Sequence, residues 1–165
     1  MFYDIREFES HSFRQRNLPA PLPVGNHMTV QKPNSPDPAE IAQWLQVQAQ
    51  TLADLLAQGQ FAQGEAQLSP ILASYPGWGF GWKLQAGFLT SMARFEPAMQ
   101  AIRNAIGLLG DDAELFNMAG IVFRETGQIE NAVACLRKSC ELDPKSPEAQ
   151  NNLGGALMMQ ADVNA

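Results

Sequence analysis

A spacing of 34 residues governs most of this chain and limits what it can fold into. Residues 113–146, AELFNMAGIVFRETGQIENAVACLRKSCELDPKS, show the unit. Two apolar-faced segments meet at Thr126-Gly127-Gln128. The first turns Phe116, Ala119, Gly120 and Phe123 to one side. The second turns Ile129, Ala132, Val133, Leu136 and Ser139 to one side, at the three- and four-residue intervals of a helix. Small residues stand where two helices cross closely. Gly127 suits the left-handed turn that ends a first helix, and Pro144 stops the second.

The same frame extends in both directions without insertion, starting at Leu45, Gly79, Ala113 and Pro147. Position 15, the turn between helices, holds Gly59, Ala93, Gly127 and Ala161. Position 17 holds Phe61, Phe95, Ile129 and Val163. Position 20, the close crossing, holds Gly64, Ala98 and Ala132. Position 24 holds Leu68, Ile102 and Leu136, and position 32 holds Pro76, Gly110 and Pro144. Asp37 caps a first helix that opens with Pro38. The frame predicts helices over 38–57, 61–74, 79–92, 95–108, 113–125, 129–142 and 147–160, each antiparallel to the one before. Ala132, at the close crossing, should tolerate nothing large.

A helix–turn–helix unit of this period resembles the tetratricopeptide repeat. The resemblance implies an all-α, right-handed superhelical array of antiparallel helix pairs over residues 41–165. Its repeats are 45–78, 79–112 and 113–146, with a partial one at 147–165. The first repeat departs from the pattern, with Leu52 where a small residue is usual and Gln48 where an aromatic is usual; terminal repeats are commonly atypical. The stretches PGWGFGWKL, LLGDDAELFNMAG and ELDPKSPEAQNNLGGAL resemble bacterial arrays that precede glycosyltransferase-like or sulfotransferase-like domains.

In that family the first helices line a concave groove that binds peptides through positions 2, 5, 6, 9, 12 and 13. The resemblance implies a groove here with Phe80, Lys83, Leu84, Asn117, Met118, Ile121, Arg124, Asn151 and Asn152 in it. Lys83, Asn117, Asn151 and Arg124 resemble part of a set that clamps a terminal carboxylate, and charge reversal at Lys83 and Arg124 should weaken binding of an acidic or C-terminal peptide. The asparagine ladder of some members is largely missing: position 6 holds Gln50, Leu84, Met118 and only then Asn152.

Other function classes find little support in the residues. A net charge of −6 and a pI of about 4.8 argue against a nucleic-acid partner. No apolar run is long enough to span a membrane and no secretory signal opens the chain. The histidines, His11 and His27, lie far from any carboxylate or thiol cluster. The glycines of 77–81 lack the strand and the Lys-Ser/Thr of a phosphate loop. Asp111-Asp112 reads as a capping loop rather than a metal site. Trp78 and Trp82 read as packing between repeats, and Glu125, Glu130 and Glu141 as solvated. Cys135 and Cys140, five apart on one helix, point about 140° apart, so they share neither a disulfide nor a metal. Reduced thiols of this kind suit a cytoplasmic protein.

Residues 1–40 form a tail of different character. Prolines at 19, 21, 23, 33, 36 and 38 favour extended or disordered chain, and Met28 would also serve as a start. Before them, Phe2, Ile5, Phe8 and Phe13 could line one side of a short helix, a docking motif over residues 2–13. That motif could seat, on its own array or on a neighbouring copy, on the concave face or on the last helix, in place of the second helix the fourth repeat lacks. The expected function is a scaffold that binds a protein or peptide segment, its own tail included, with no catalysis, cofactor or metal. Two alternatives stand beside it: a substrate-recruiting module cut from a larger protein- or sugar-modifying transferase, and a small stand-alone chaperone that escorts secretion substrates.

Overall fold

The computed structural model describes residues 37–163. The expected tail and docking motif fall almost wholly outside them. Only its last turn is seen: Pro38, Ala39 and Glu40 belong to a helix, not to the tail.

Seven helices follow one another among the described residues: α1 Pro38–Ala57, α2 Phe61–Ser74, α3 Gly79–Ser91, α4 Phe95–Leu109, α5 Ala113–Glu125, α6 Ile129–Leu142 and α7 Pro147–Val163. These are the expected helices to within a residue at every boundary but one. Connections this short force neighbouring helices antiparallel. The exception is α7, which runs through Ala161, where the frame expects a turn. Alanine is the best helix former and takes a positive φ only at a steric cost, as Ala93 does, so nothing in Ala161 itself forces the helix to stop there.

Each turn within a repeat repeats one pattern of hydrogen bonds. Gln128 N donates to Phe123 O at 2.8 Å and Gly127 N to Arg124 O at 3.0 Å; Gln60 and Gly59, and Arg94 and Ala93, do the same two repeats and one repeat earlier. This is the Schellman arrangement, and it needs a left-handed residue at its centre. Gly59 and Gly127 supply φ of 73° and 75°; Ala93 adopts 56° despite its Cβ. Polar caps open α1 and the helices after two of the three turns between repeats, whereas Trp78 before α3 makes no side-chain cap. Asp37 accepts from Ala39 N at 2.9 Å, Asp112 from Leu115 N at 3.0 Å and Ser146 from Ala149 N at 3.2 Å.

Packing follows the frame. Leu68, Ala98, Ile102, Ala119, Ala132 and Leu136 are sealed from solvent, and Phe116, Phe123, Val133 and Ile129 nearly so. Leu136 of α6 lies so close over Gly120 of α5 that a Cβ on Gly120 would collide with it. Each such large side chain contributes on the order of 1.5–3 kcal/mol by leaving water. The core has two parts: one around Leu52, Leu68, Leu72 and Phe88, the other from α3 to α7. Trp82 and Met92 pack against both and join them. Trp78 packs on the first part, and Trp82 Nε1 donates to Pro76 O at 2.8 Å, so both tryptophans serve the packing between repeats.

The first helices α1, α3, α5 and α7 touch in succession, whereas the backbones of α2, α4 and α6 do not approach one another. An array held closer on one side than the other must curve, with its first helices on the inner side. Among the described residues no helix is long and apolar enough to cross a membrane.

Candidate functional site

The inner side carries a groove of about 500 Å³ near its start, lined by Ala42, Leu45, Gln46, Ala49, Gln50 and Ala53 of α1 with Trp78 and Phe80 from the entry to α3. Gln46, Ala49, Gln50 and Ala53 stand at positions 2, 5, 6 and 9 of the first repeat, and Phe80 at position 2 of the second. Helical spacing therefore puts them on one wall. The alanines keep that wall low. Phe80 stays 41% exposed, a large apolar ring left facing solvent. No formal charge lines the groove. Its polar groups are amides, and Gln50 Nε2 donates to Asp54 Oδ1 at 2.9 Å.

Further along, the inner side is polar and closely knit. Lys83 Nζ lies 2.9 Å from Asp112 Oδ2 and 2.7 Å from Glu114 Oε2. Burial alone would lower the Lys83 amine, but hydrogen bonds and charge from Glu114 and Asp112 outweigh it and hold the pKa above its usual 10.5. Burial likewise tends to raise Asp112. The Lys83 ammonium and the N–H groups of Leu115 and Glu114 outweigh that and hold its carboxyl below the usual 3.8. One repeat on, Asn117 Nδ2 donates to Glu148 Oε1 at 3.0 Å, and Asn117 Oδ1 accepts from Asn152 Nδ2 at 2.9 Å. Lys83, Asp112, Glu114, Asn117 and Glu148 surround a second, smaller cavity of about 260 Å³ with Ser139, Asp143 and Ser146.

The residues singled out from the sequence therefore divide. Phe80 is an exposed groove wall, and Asn151 is exposed. Ile121, Asn152 and Arg124 are half-buried. Leu84, Asn117 and Met118 are only 6%, 5% and 9% exposed, because neighbouring first helices close over them. The two cations of the expected carboxylate clamp are already paired, Lys83 as above and Arg124 with Glu125 at 3.0 Å. The groove residues of α1 were missed by the sequence reading, although positions 2, 5, 6 and 9 of its own frame name Gln46, Ala49, Gln50 and Ala53.

Burial pushes the Cys135 thiol up to about 12, which leaves it protonated and unreactive. Among the described residues no group of three or more His, Cys, Asp or Glu side chains could hold a metal ion.

Comparison with known proteins agrees with this architecture. A family model described as TPR repeat matches residues 120–160. No curated protein matches the chain. The first TPR domain of the human RPAP3 protein superposes with a TM-score of 0.65 at 17% identity, covering 70% of this chain and 91% of that one. The first TPR of Spaghetti (RPAP3), bound to the HSP90 peptide SRMEEVD, gives 0.64 at 17% identity with the same coverage of 70% and 91%. MamA from Desulfovibrio magneticus RS-1, from residue 41 to its end, gives 0.64 at 16% identity, over 75% of this chain and 72% of that one.

Proposed function

We propose that this chain, a tetratricopeptide-repeat protein, is an interaction scaffold that holds an apolar, uncharged peptide segment in the groove between α1 and α3. The observation that carries this reading is the open groove of about 500 Å³ with Phe80 exposed at its edge and no charge in its lining. A groove lined by apolar side chains with a few amides suits a short apolar segment whose backbone pairs with Gln46 and Gln50. The Spaghetti domain's bound HSP90 peptide is a precedent for the fold, at an identity that carries over no residue roles.

The chemistry here differs from an acidic-peptide clamp. Lys83 and Arg124 already have carboxylate partners, so a ligand carboxylate would have to displace Asp112, Glu114 or Glu125. Ile121, Asn151 and Asn152, with Arg124, extend the same inner side toward α7 and take the far end of a longer segment; Leu84, Asn117 and Met118 form the floor beneath. In this reading the protein binds and does not catalyse. It works in the cytoplasm, where free thiols such as Cys135 and Cys140 persist.

Peptide display against the full chain, followed by calorimetry, tests the reading. Phe80→Ala should weaken the selected peptides about tenfold or more, as loss of an aromatic anchor does. Ala49→Glu should abolish binding while the melting temperature holds. Selected peptides that bind Ala49→Glu and the parent equally would refute the groove.

A further inference from the structure

We infer that residues 2–13 of the chain itself occupy this groove, so that the molecule carries a built-in competitor for partner peptides. The inference rests on the groove reading above and names the occupant.

Position is the first argument. Residues 1–36 lead directly into Asp37, the cap of α1, and the groove wall begins at Ala42, the fifth residue of that helix. The far wall residue, Ala53, stands about 22 Å along the axis from Pro38 at about 1.5 Å per residue. Residues 14–36 separate the segment from the cap of α1. At about 3.1 Å per residue they reach about 70 Å, more than enough to double back. A tether of this length sets an effective concentration of millimolar order at the groove. The exposed apolar side chains of α7, Leu157, Met158 and Met159, lie at the other end of the array, three helix-to-helix steps away. At about 8–10 Å per step they are the more distant seat.

Chemistry is the second argument. The groove has no formal charge, and residues 2–13 carry only a small one: Asp4, Glu7 and Glu9 stand against Arg6, with Arg14 and Arg16 just beyond the segment to balance the rest. A partner drawn by charge would find nothing there. The wall is made low by Ala42, Ala49 and Ala53, and the segment brings the large side chains Phe2, Ile5, Phe8 and Phe13 to fill what they leave open. Residues 1–18 contain neither proline nor glycine, so a helix is open to them. The lengths also agree. Residues 42–53 span about 16 Å of helix, and so would residues 2–13.

Regulation follows directly. A partner peptide must displace the segment, so its apparent affinity is lowered by the fraction of grooves already filled.

Hydrogen exchange on the full chain, with a synthetic peptide of residues 1–16 as probe, decides the matter. Amides of residues 2–13 should exchange at least tenfold more slowly in the parent than in Ala49→Glu, independent of protein concentration. The variant Ile5→Asp/Phe8→Asp leaves every residue of the described array, 37–163, unchanged. It should bind the added peptide at least tenfold more tightly than the parent does. Residues 2–13 exchanging at the unprotected rate in parent and Ala49→Glu alike would overturn the inference. Protection that rises with concentration would assign the contact to a second copy and overturn it as well. Display-selected peptides that bind the parent and Ile5→Asp/Phe8→Asp equally would remove the competitor while leaving the groove reading in place. Selected peptides that bind Ala49→Glu as tightly as the parent would remove both.

Discussion

Ala93 is the residue at which local and global demands disagree most openly. The turn it centres needs a left-handed backbone, and its counterparts Gly59 and Gly127 meet that need without a Cβ. An alanine at φ 56° bears a steric cost of about 1–2 kcal/mol, which glycine relieves at some cost in chain entropy. Ala93→Gly should therefore stabilise the protein by up to about 1 kcal/mol, seen as a higher melting temperature. Ala132 makes the opposite case. It is sealed at the crossing of α5 and α6, so Ala132→Leu should destabilise by about 1–3 kcal/mol through overpacking. An unchanged melt would mean the crossing is not where the frame puts it. Both residues were legible in the sequence because their roles are set by spacing within one repeat. The pairing of Lys83 with Asp112 and Glu114 was not, because it depends on how one repeat sits against the next. The 34-residue frame places side chains on faces but says nothing of which rotamer a long lysine takes.

At the scale of the element, Asp112 ties two helices together. It caps α5 through Leu115 N and also holds Lys83 of α3. Its carboxyl titrates below the usual 3.8, so this contribution to stability is present above that value and fades as pH falls through the folded-state pKa. Lys83 works in the other direction. Its pKa is raised, so its share is complete below 10.5 and is lost as pH rises above it. Asp112→Asn separates the two tasks, since asparagine caps as well as aspartate but carries no charge. We expect Asp112→Asn to lose less stability at pH 7 than Asp112→Ala, which also forfeits a cap worth about 0.5–2 kcal/mol. The parent's extra stability over Asp112→Asn should shrink as pH drops below about 3.8. Thermal melts from pH 2 to 7 would show it. The start of α1 was legible for the same reason as this cap: an aspartate before a helix that opens with proline or small residues is a local signal. The end of α7 was not, because the frame supplied a turn that Ala161 does not make.

For the whole molecule, the repeat period was enough to read the order and pairing of the helices, since it recurs at independent positions from Leu45 to Leu136. The groove was half legible. Its positions follow from the frame, but its depth depends on Ala42, Ala49 and Ala53 leaving space beside Phe80, which only a packed array reveals. The asymmetry between the two sides of the array has a mechanical consequence. The inner rim is bonded by close helix contact, whereas on the outer rim side-chain ion pairs reach across the gaps: Arg94 to Glu65 at 2.6 Å, from the start of α4 to α2, and Lys138 of α6 to Asp111 at 3.1 Å. Exposed pairs of this sort are worth about 0–1 kcal/mol each and weaken as salt shortens the screening length from about 10 Å at 0.1 M to about 3 Å at 1 M. The molecule should therefore behave as a leaf spring, stiff along one edge and soft along the other. Its pitch would be adjustable at little cost in energy. Small-angle scattering should find its longest dimension shifting between low and high salt with helix content constant. Arg94→Gln/Lys138→Gln should hold the high-salt dimension at every ionic strength.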